Sequence, residues 1–122
     1  MGGIVKNNNL LTRFGYAFAG IRSSLQSEHS FRLQMIGLGF VLVILLVTRP
    51  EPVWWGVLLL TSGGVLATEL INTALEKLID HLHPDRHATL KIVKDTLAGA
   101  VLVMSITAVL VFAAFVRSRI SQ

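Results

Sequence analysis

Three apolar runs of membrane-spanning length alternate with short polar stretches along the chain. They extend from Leu33 to Thr48, from Val53 to about Thr68, and from Thr96 to Val116. A helix needs about 20 mostly apolar residues to cross a bilayer, so each run, lengthened by a few flanking residues, is long enough. The pattern predicts an all-α membrane protein, residues 1–122 forming one domain, with transmembrane helices over about 31–48, 53–80 and 94–116.

A further helix is predicted before the first run, over about residues 9–28. Its apolar residues recur at spacings of three and four, namely Leu11, Phe14, Phe18, Ile21 and Leu25. This spacing places them on one face, with basic and small polar residues on the others. The pattern indicates an amphipathic helix on the membrane surface. A helix packed against the other helices fits the pattern equally well.

Composition agrees with a membrane protein, since 52% of the 122 residues are hydrophobic. The chain has no cysteine, which excludes thiol chemistry and Cys-ligated metal. Its basic residues are dispersed and form no patch of the kind that binds nucleic acid. The first residues lack the apolar core and cleavage site of a signal peptide, so we expect the first membrane helix to be retained as an uncleaved anchor.

Lysine and arginine are distributed unevenly between the two sides of the predicted membrane. Eight lie on the N-terminal segment and around the second connection, namely Lys6, Arg13, Arg22, Arg32, Lys77, Arg86, Lys91 and Lys94. The opposite side carries only Arg49, Arg117 and Arg119. Under the positive-inside rule, the N-terminus and the second connection are cytoplasmic and the C-terminus lies outside.

A stripe of polar side chains lies on the second predicted membrane helix. Glu69, Asn72, Glu76 and Asp80 follow one another at spacings of 3, 4 and 4, which places them on one helix face. An ionisable group near the bilayer centre costs roughly 2.5 kcal/mol or more, so retained acids indicate a function. Hydrogen bonding between helices is the simpler alternative.

The predicted depth of each of these side chains in the membrane determines which chemistry it can perform. Glu69 would lie about 10 Å deeper than Glu76 and be partly desolvated, which suits a group that takes a proton from a lipid headgroup. Glu76 and Asp80 would reach the phosphate layer, where carboxylates can hold Mg²⁺. Asn72 offers a donor and an acceptor between them.

Charged residues in the second connection suggest a further contact with phosphate. Lys94 can pair with phosphate oxygens, and Asp95 can bind a metal or a ribose hydroxyl, although most charges at a helix boundary are simply solvated. His81, His83 and His87 have spacings that match no strong zinc motif. The chain contains neither a P-loop nor a GxGxxG fingerprint, so any nucleotide must bind by another scheme.

The residues around the stripe carry a family resemblance. The segment ELINTALEKLID at 69–80, with Glu28 and FRLQ at 31–34 before it and KDTLAGAVL at 94–102 after it, closely resembles the small integral-membrane bacterial diacylglycerol kinases and their Gram-positive relatives, the undecaprenol kinases. The similarity extends from Gly20 through the third membrane helix. The resemblance implies a homotrimeric lipid kinase of the bacterial inner membrane, with active sites shared between subunits and facing the cytoplasm.

The same resemblance implies roles for individual residues. It makes Glu69 the general base that activates the lipid hydroxyl, and it makes Glu28 and Glu76 ligands of the Mg²⁺ that accompanies ATP. The implied nucleotide contacts are Tyr16, Glu28, Asn72, Glu76, Asp80, Asp85, Arg86, His87, Lys94 and Asp95. The implied lipid contacts are Glu69, Ser30, Phe31, Arg32 and Gln34.

Three features depart from the common family pattern and leave the lipid open. Asn9 occupies a position that is commonly basic, with Arg13 and Lys6 as candidates to replace it. Gln34 replaces an acid common in the Gram-negative kinases, and His83-Pro84 with AGAVLV at 98–103 resembles the undecaprenol kinase branch. Diacylglycerol is the expected substrate and undecaprenol the alternative.

Two readings from other classes also account for acids in a membrane helix. A small proton-coupled transporter would use an intramembrane glutamate, but it predicts a path through the bilayer centre and needs neither Glu28 nor Lys94. A non-enzymatic assembly factor would tolerate Glu69→Gln and Glu76→Gln. The acids cluster toward one membrane edge, which favours the kinase.

Overall fold

The computed structural model describes residues 9–85 and 87–122; Lys6 and Arg86 lie outside this part of the chain. The described chain forms four α-helices: α1 (Leu10–Ser27), α2 (His29–Thr48), α3 (Pro52–Leu82) and α4 (Ala88–Ile120). Helices α2, α3 and α4 are each long and apolar enough to cross a membrane. The prediction of an all-α protein with three candidate membrane spans is confirmed.

Helix α1 begins at a side-chain cap and ends at a single-residue break. The Asn9 carboxamide oxygen accepts a hydrogen bond from the backbone N–H of Thr12 at 2.8 Å, which satisfies one of the free donors at the helix start. Glu28, with extended backbone, alone separates α1 from α2. The apolar side chains of Leu11 and Phe14 are exposed, and their contact with a membrane surface stays a prediction.

Arg32 fixes the break between α1 and α2. Its Nη1 donates to the backbone carbonyls of Leu25 at 2.8 Å and Gln26 at 3.2 Å. These carbonyls belong to the last turn of α1, where no backbone donor of the helix is available. The side chain therefore caps α1 from the first turn of α2.

The connection between α2 and α3 is short and tightly turned. Arg49 adopts the left-handed conformation, with φ of 46°, and its N–H donates to the carbonyl of Leu45 at 2.9 Å. Pro52 is the first residue of α3, a position that proline favours because it needs no N–H donor. A turn this short makes α2 and α3 antiparallel neighbours.

The best-packed part of the chain lies beside this turn. The side chains of Leu45, Leu58 and Phe115 are almost completely buried, and partly buried aromatic rings cover them. The edge of the Trp54 ring meets Phe115 with centroids 5.4 Å apart, a favourable arrangement. We call this region, formed by the α2–α3 turn and the C-terminal part of α4, the apolar end.

Helices α3 and α4 are longer than a membrane is thick. Their 31 and 33 residues correspond to about 46 and 50 Å, whereas the hydrocarbon layer measures about 30 Å. Helix α4 begins at Ala88, six residues before the start expected from its apolar run, because its first turns are polar but still helical. Lys94, the residue after this extension, forms an ion pair with Asp80 of α3.

We call the opposite end of the molecule the charged end. It consists of the α1–α2 break, the part of α3 from Glu69 onward, and α4 up to Asp95. The antiparallel course of the helices brings these three segments to the same side. All the acids of the predicted stripe therefore lie at the charged end.

Among the glycines of the described residues, Gly64 is the one at which an added Cβ would meet an atom of another residue within 4 Å. A Cβ added there would lie 2.6 Å from Cε of Met104, whereas one added at Gly99 would meet nothing within 4 Å. Within one chain, the tight contact thus lies on α3. Close packing of Gly99 against another subunit stays a prediction.

Candidate functional site

The stripe on α3 passes from buried to exposed toward the end of the helix. Glu69 is only 6% exposed, Asn72 and Glu76 are half-buried, and Asp80 is exposed. Residues three and four apart lie on one helix face, so the sequence places them in line. Burial of a carboxyl group is energetically costly, so a purely structural role does not readily explain the buried Glu69.

Asn72 forms a hydrogen bond within the stripe, and its own side-chain oxygen has no partner in the described chain. Its Nδ2 donates to Oε1 of Glu76 at 3.0 Å, while its buried Oδ1 has no hydrogen-bond partner within the described chain. An unpaired buried polar atom typically costs about 1–3 kcal/mol. The free oxygen beside a carboxylate indicates that a donor or a cation belongs there.

A third acid, Glu28, lies within electrostatic range of the stripe. Glu28 and Glu76 are the two charged groups that act electrostatically on Glu69, so the α1–α2 break and α3 present their acids to each other. Carboxylates within electrostatic range of one another repel, and a bound cation would relieve the repulsion.

The oxygen atoms at this place fit a hard cation such as Mg²⁺. Within residues 9–85 and 87–122, no three His, Asp or Glu side chains lie close enough to hold a metal ion alone. Magnesium in nucleotide enzymes usually binds one or two carboxylates and takes its other ligands from water and phosphate. Glu28, Glu76 and Oδ1 of Asn72 match that pattern of partial protein ligation.

A cleft of about 500 Å³ opens between the end of α3 and the start of α4. Among the nucleotide contacts implied by the sequence, it is lined by Asp80, Asp85, His87 and Lys94, and Lys91 also lines it. Nδ1 of His87 accepts from the backbone N–H of Thr89 at 3.2 Å and caps α4. The cleft presents both ammonium and carboxylate groups at the charged end.

Asp95 and Tyr16 are not among the residues that line this cleft. Asp95 pairs with Lys91 at 2.7 Å on an exposed face of α4. Tyr16 lines a second cleft, of about 340 Å³, between α1 and α3. Asn9, which stands where the family commonly has a basic residue, caps α1, and Arg86 lies outside the described residues. One chain therefore divides most of the nucleotide candidates among three places: the acid stripe with Glu28, the α3–α4 cleft and the α1–α3 cleft.

The lipid candidates also have differing surroundings. Ser30 and Arg32 are exposed, whereas the ring of Phe31 is 1% exposed and packs inside the chain. Gln34 lines a mostly apolar cavity of about 310 Å³ between α2, α3 and α4. They form no single surface on one chain.

Sequence reasoning did not find the contact between Ser27 and Lys77. Nζ of Lys77 donates to Oγ of Ser27 at 3.2 Å, and that hydroxyl donates to Oε2 of Glu28 at 3.2 Å. The two residues are 50 positions apart. No motif or spacing signals a pairing that only the packing of α1 on α3 creates.

Comparison with known proteins identifies the family. The family model for prokaryotic diacylglycerol kinase matches residues 15–116, which include α2, α3, most of α1 and nearly all of α4. The chain belongs to the prokaryotic diacylglycerol kinase family.

Two relatives illustrate the range within the family. A diacylglycerol kinase from Synechocystis is 38% identical over 104 residues, which are 84% of this chain and 59% of the relative. An undecaprenol kinase from Bacillus subtilis is 29% identical over 99 residues, which are 81% of this chain and 80% of the relative. The chain thus spans about three fifths of the first protein and four fifths of the second.

Proposed function

We propose that this protein is an ATP-dependent lipid kinase that converts diacylglycerol to phosphatidic acid at the charged end. The observation that carries the proposal is the buried carboxyl group of Glu69 beside the unpaired Oδ1 of Asn72. Membership of the prokaryotic diacylglycerol kinase family supports the same reaction. A lipid hydroxyl and a nucleotide phosphate can meet only where membrane and water adjoin, which is where this stripe ends.

Glu69 acts as the general base in this proposal. Its carboxylate accepts the proton of the lipid hydroxyl while the hydroxyl oxygen attacks the γ-phosphorus of ATP. The bond to the β,γ-bridging oxygen breaks, so ADP leaves and the phosphoryl group is transferred. Phosphoryl transfer chiefly requires in-line positioning and neutralisation of charge, and a base held inside the protein supplies part of the positioning.

The acids around Glu69 serve the nucleotide. Glu28, Glu76 and Oδ1 of Asn72 would hold Mg²⁺, which when bound neutralises charge on the phosphates. The α3–α4 cleft at Lys94 and Asp80 would receive the nucleotide, because a lysine pairs well with phosphate oxygens. An ion pair with Asp80 keeps the ammonium group of Lys94 in place before ATP binds.

A homotrimer with shared sites accounts for the incomplete site of one chain. Tyr16 and the α3–α4 cleft lie in separate groups, so a neighbouring subunit can bring its own group into reach. The three candidate spans leave most apolar side chains exposed, as expected of helices covered by other subunits or lipid. We assign the charged end to the cytoplasmic side of the bacterial inner membrane, where ATP is available.

Undecaprenol is the second candidate substrate. The relative named undecaprenol kinase is matched over 80% of its length, and Gln34, which replaces the acid expected from the resemblance to the Gram-negative kinases, lines the apolar cavity. An uncharged amide is better suited than an acid to a long apolar chain. Both substrates present a hydroxyl group at the membrane boundary, so the chemistry is the same.

A proton-coupled transporter is the candidate from a different class, and the positions of the acids argue against it. Glu28, Glu69 and Glu76 gather at the charged end, whereas a transport path needs polar groups that reach the other side. At the apolar end, the chain is filled by Leu45 and Phe115.

The test compares two glutamate variants in a diacylglycerol phosphorylation assay. Glu69→Gln preserves the shape of the side chain but removes the base, so turnover should fall about 100- to 10,000-fold. Glu51→Gln is the matched control, since Glu51 is exposed and lies at the apolar end; its turnover should match the parent. Both variants should elute from size exclusion like the parent. Equal turnover of Glu69→Gln and parent would refute the assignment of the base.

A further inference from the structure

Three side chains form a hydrogen-bonded chain from α3 to the α1–α2 break. The ammonium group of Lys77 donates to the hydroxyl of Ser27, and that hydroxyl donates to the carboxylate of Glu28, each at 3.2 Å. In residues 9–85 and 87–122, the first of these is the one side-chain hydrogen bond between α1 and α3. It thus joins the helix that carries the acid stripe to the residue that ends α1.

Glu28 depends on its neighbours for its orientation. It is the single non-helical residue between α1 and α2, so no turn of helix fixes its side chain. Arg32 fixes the backbone on the α2 side through the carbonyls of Leu25 and Gln26. The hydroxyl of Ser27 is the partner that fixes the carboxylate itself.

We infer that Lys77 and Ser27 are positioning residues that hold the Glu28 carboxylate toward the acid stripe of α3. The inference rests on the proposed function, in which Glu28 is a magnesium ligand. A hydroxyl that accepts from an ammonium group becomes a better donor to a carboxylate, because consecutive hydrogen bonds polarise one another. Lys77 therefore acts on Glu28 through Ser27.

Because Lys77 is exposed, its role in orienting the Glu28 carboxylate can be tested separately from any contribution to folding. Both Lys77 and Ser27 are exposed, and exposed polar contacts contribute little to stability. Neither forms part of the buried core. Loss of this contact should therefore change the binding of the metal–nucleotide complex and leave the fold intact.

A different role for the same lysine predicts the opposite effect. If the ammonium group of Lys77 instead took the place of the cation among the acids, its removal would tighten metal binding. The direction of the change in affinity therefore distinguishes positioning from competition.

The experiment measures binding of Mn²⁺ by electron paramagnetic resonance, with a non-hydrolysable ATP analogue and the full-length protein in detergent. The variants are Lys77→Met, Ser27→Ala, their double variant, and Lys77→Arg, which retains a charged donor. Ser121→Ala is the control, because Ser121 is an exposed serine at the apolar end. Circular dichroism and size exclusion check that each variant folds and assembles like the parent.

We expect Lys77→Met and Ser27→Ala each to weaken Mn²⁺ binding about five- to tenfold, the size of effect typical of one hydrogen bond. The double variant should be no weaker than either single variant, because both changes break the same chain of contacts. Lys77→Arg should restore most of the affinity, and Ser121→Ala should match the parent. In turnover assays, the requirement for Mg²⁺ should rise while the maximal rate changes little.

Three results would overturn the inference: unchanged affinity in Lys77→Met, tighter binding in Lys77→Met, or additive losses in the double variant. Glu28→Gln separates these from failure of the proposed function. If Glu28→Gln weakens Mn²⁺ binding while Lys77→Met does not, the positioning role is wrong and the ligand role stands. If Glu28→Gln leaves binding unchanged, the ligand role is wrong and the positioning role falls with it.

Discussion

The apolar end and the charged end of the molecule differ in the kind of side chain that they bury. At the apolar end, the side chains of Leu45, Leu58 and Phe115 are almost completely buried between α2, α3 and α4. At the charged end, the carboxyl group of Glu69 is buried, and Oδ1 of Asn72 has no hydrogen-bond partner in the described chain. The core cluster of the apolar end consists of apolar side chains, whereas the charged end buries polar groups, one of them without a partner in the described chain.

This comparison indicates that one part of α3 contributes mainly to stability and another part mainly to function. Helix α3 contributes Leu58 to the packed core and Glu69 to the polar site, so a single rigid element connects both ends. Buried polar groups without partners are costly, and natural proteins retain such costs mainly at functional sites. Substitutions at the two ends should therefore have separable effects on folding and on catalysis.

The largest stability change is expected from Phe115→Ala. Removal of the ring leaves a cavity against Trp54 and Leu58 and should destabilise the protein by about 3 kcal/mol. Turnover per folded molecule should stay near the parent value, because the site lies at the other end. Unfolding in mixed detergent micelles measures the first effect and an activity assay the second. Val116→Ala, at a more exposed neighbour, is the control, and an equal loss there would contradict the packing account.

Glu76→Gln should change metal dependence rather than stability. It keeps an oxygen that can accept from Asn72 but removes the charge, so the concentration of Mg²⁺ required for half-maximal rate should rise about 10- to 100-fold. Stability should be equal or slightly higher, because one of three mutually repelling acids is neutralised. A magnesium titration of turnover measures this, with Glu51→Gln as the control. An unchanged titration would count against Glu76 as a ligand.

Lys94→Gln should weaken the nucleotide site without loosening the fold. The ion pair of Lys94 with Asp80 is partly exposed, and such pairs contribute only about 0–1 kcal/mol to stability. Loss of a charged contact to phosphate should raise the KM for MgATP about tenfold. Arg117→Gln removes a positive charge at the apolar end and should leave KM unchanged. If the two variants behaved alike, the assignment of the α3–α4 cleft to nucleotide would fail.

The smallest effect is expected between the two ends, at Gly64. The Cβ of Gly64→Ala would meet the Met104 side chain, whose flexible end can move aside, so the loss of stability should be about 1 kcal/mol or less. Gly63→Ala is a matched control, because a Cβ there meets nothing within 4 Å. It should be neutral or slightly stabilising, since alanine favours helices. A greater loss at Gly63 would contradict the α3–α4 packing.

The elements that follow from local pattern could be predicted from the sequence. Apolar runs bounded by proline gave the three candidate spans, and spacings of three and four placed Glu69, Asn72 and Glu76 on one face. Hydropathy could not show that α4 begins at Ala88, because its first turns are polar. A helix is set by backbone hydrogen bonds, and these extend past the end of the apolar segment.

Contacts between distant segments could not be predicted. Arg32 is implied as a lipid contact by the family resemblance, yet its guanidinium caps α1 through Leu25 and Gln26. Lys77 contributed only a positive charge to the topology prediction, whereas it reaches Ser27 across the α1–α3 contact. Both interactions depend on the angle between helices, which no periodicity encodes. The division of the nucleotide candidates among the acid stripe and two clefts has the same origin.

The most direct test offers the purified protein ATP labelled at the γ-phosphate, together with diacylglycerol and undecaprenol side by side. We predict that label passes to diacylglycerol, that the transfer requires Mg²⁺, and that it is lost in Glu69→Gln but not in Glu51→Gln. Label on undecaprenol alone would mean that the charged end is a kinase site and that its substrate is undecaprenol rather than diacylglycerol. Absence of label on either lipid, from protein that is folded and assembled, would contradict the account.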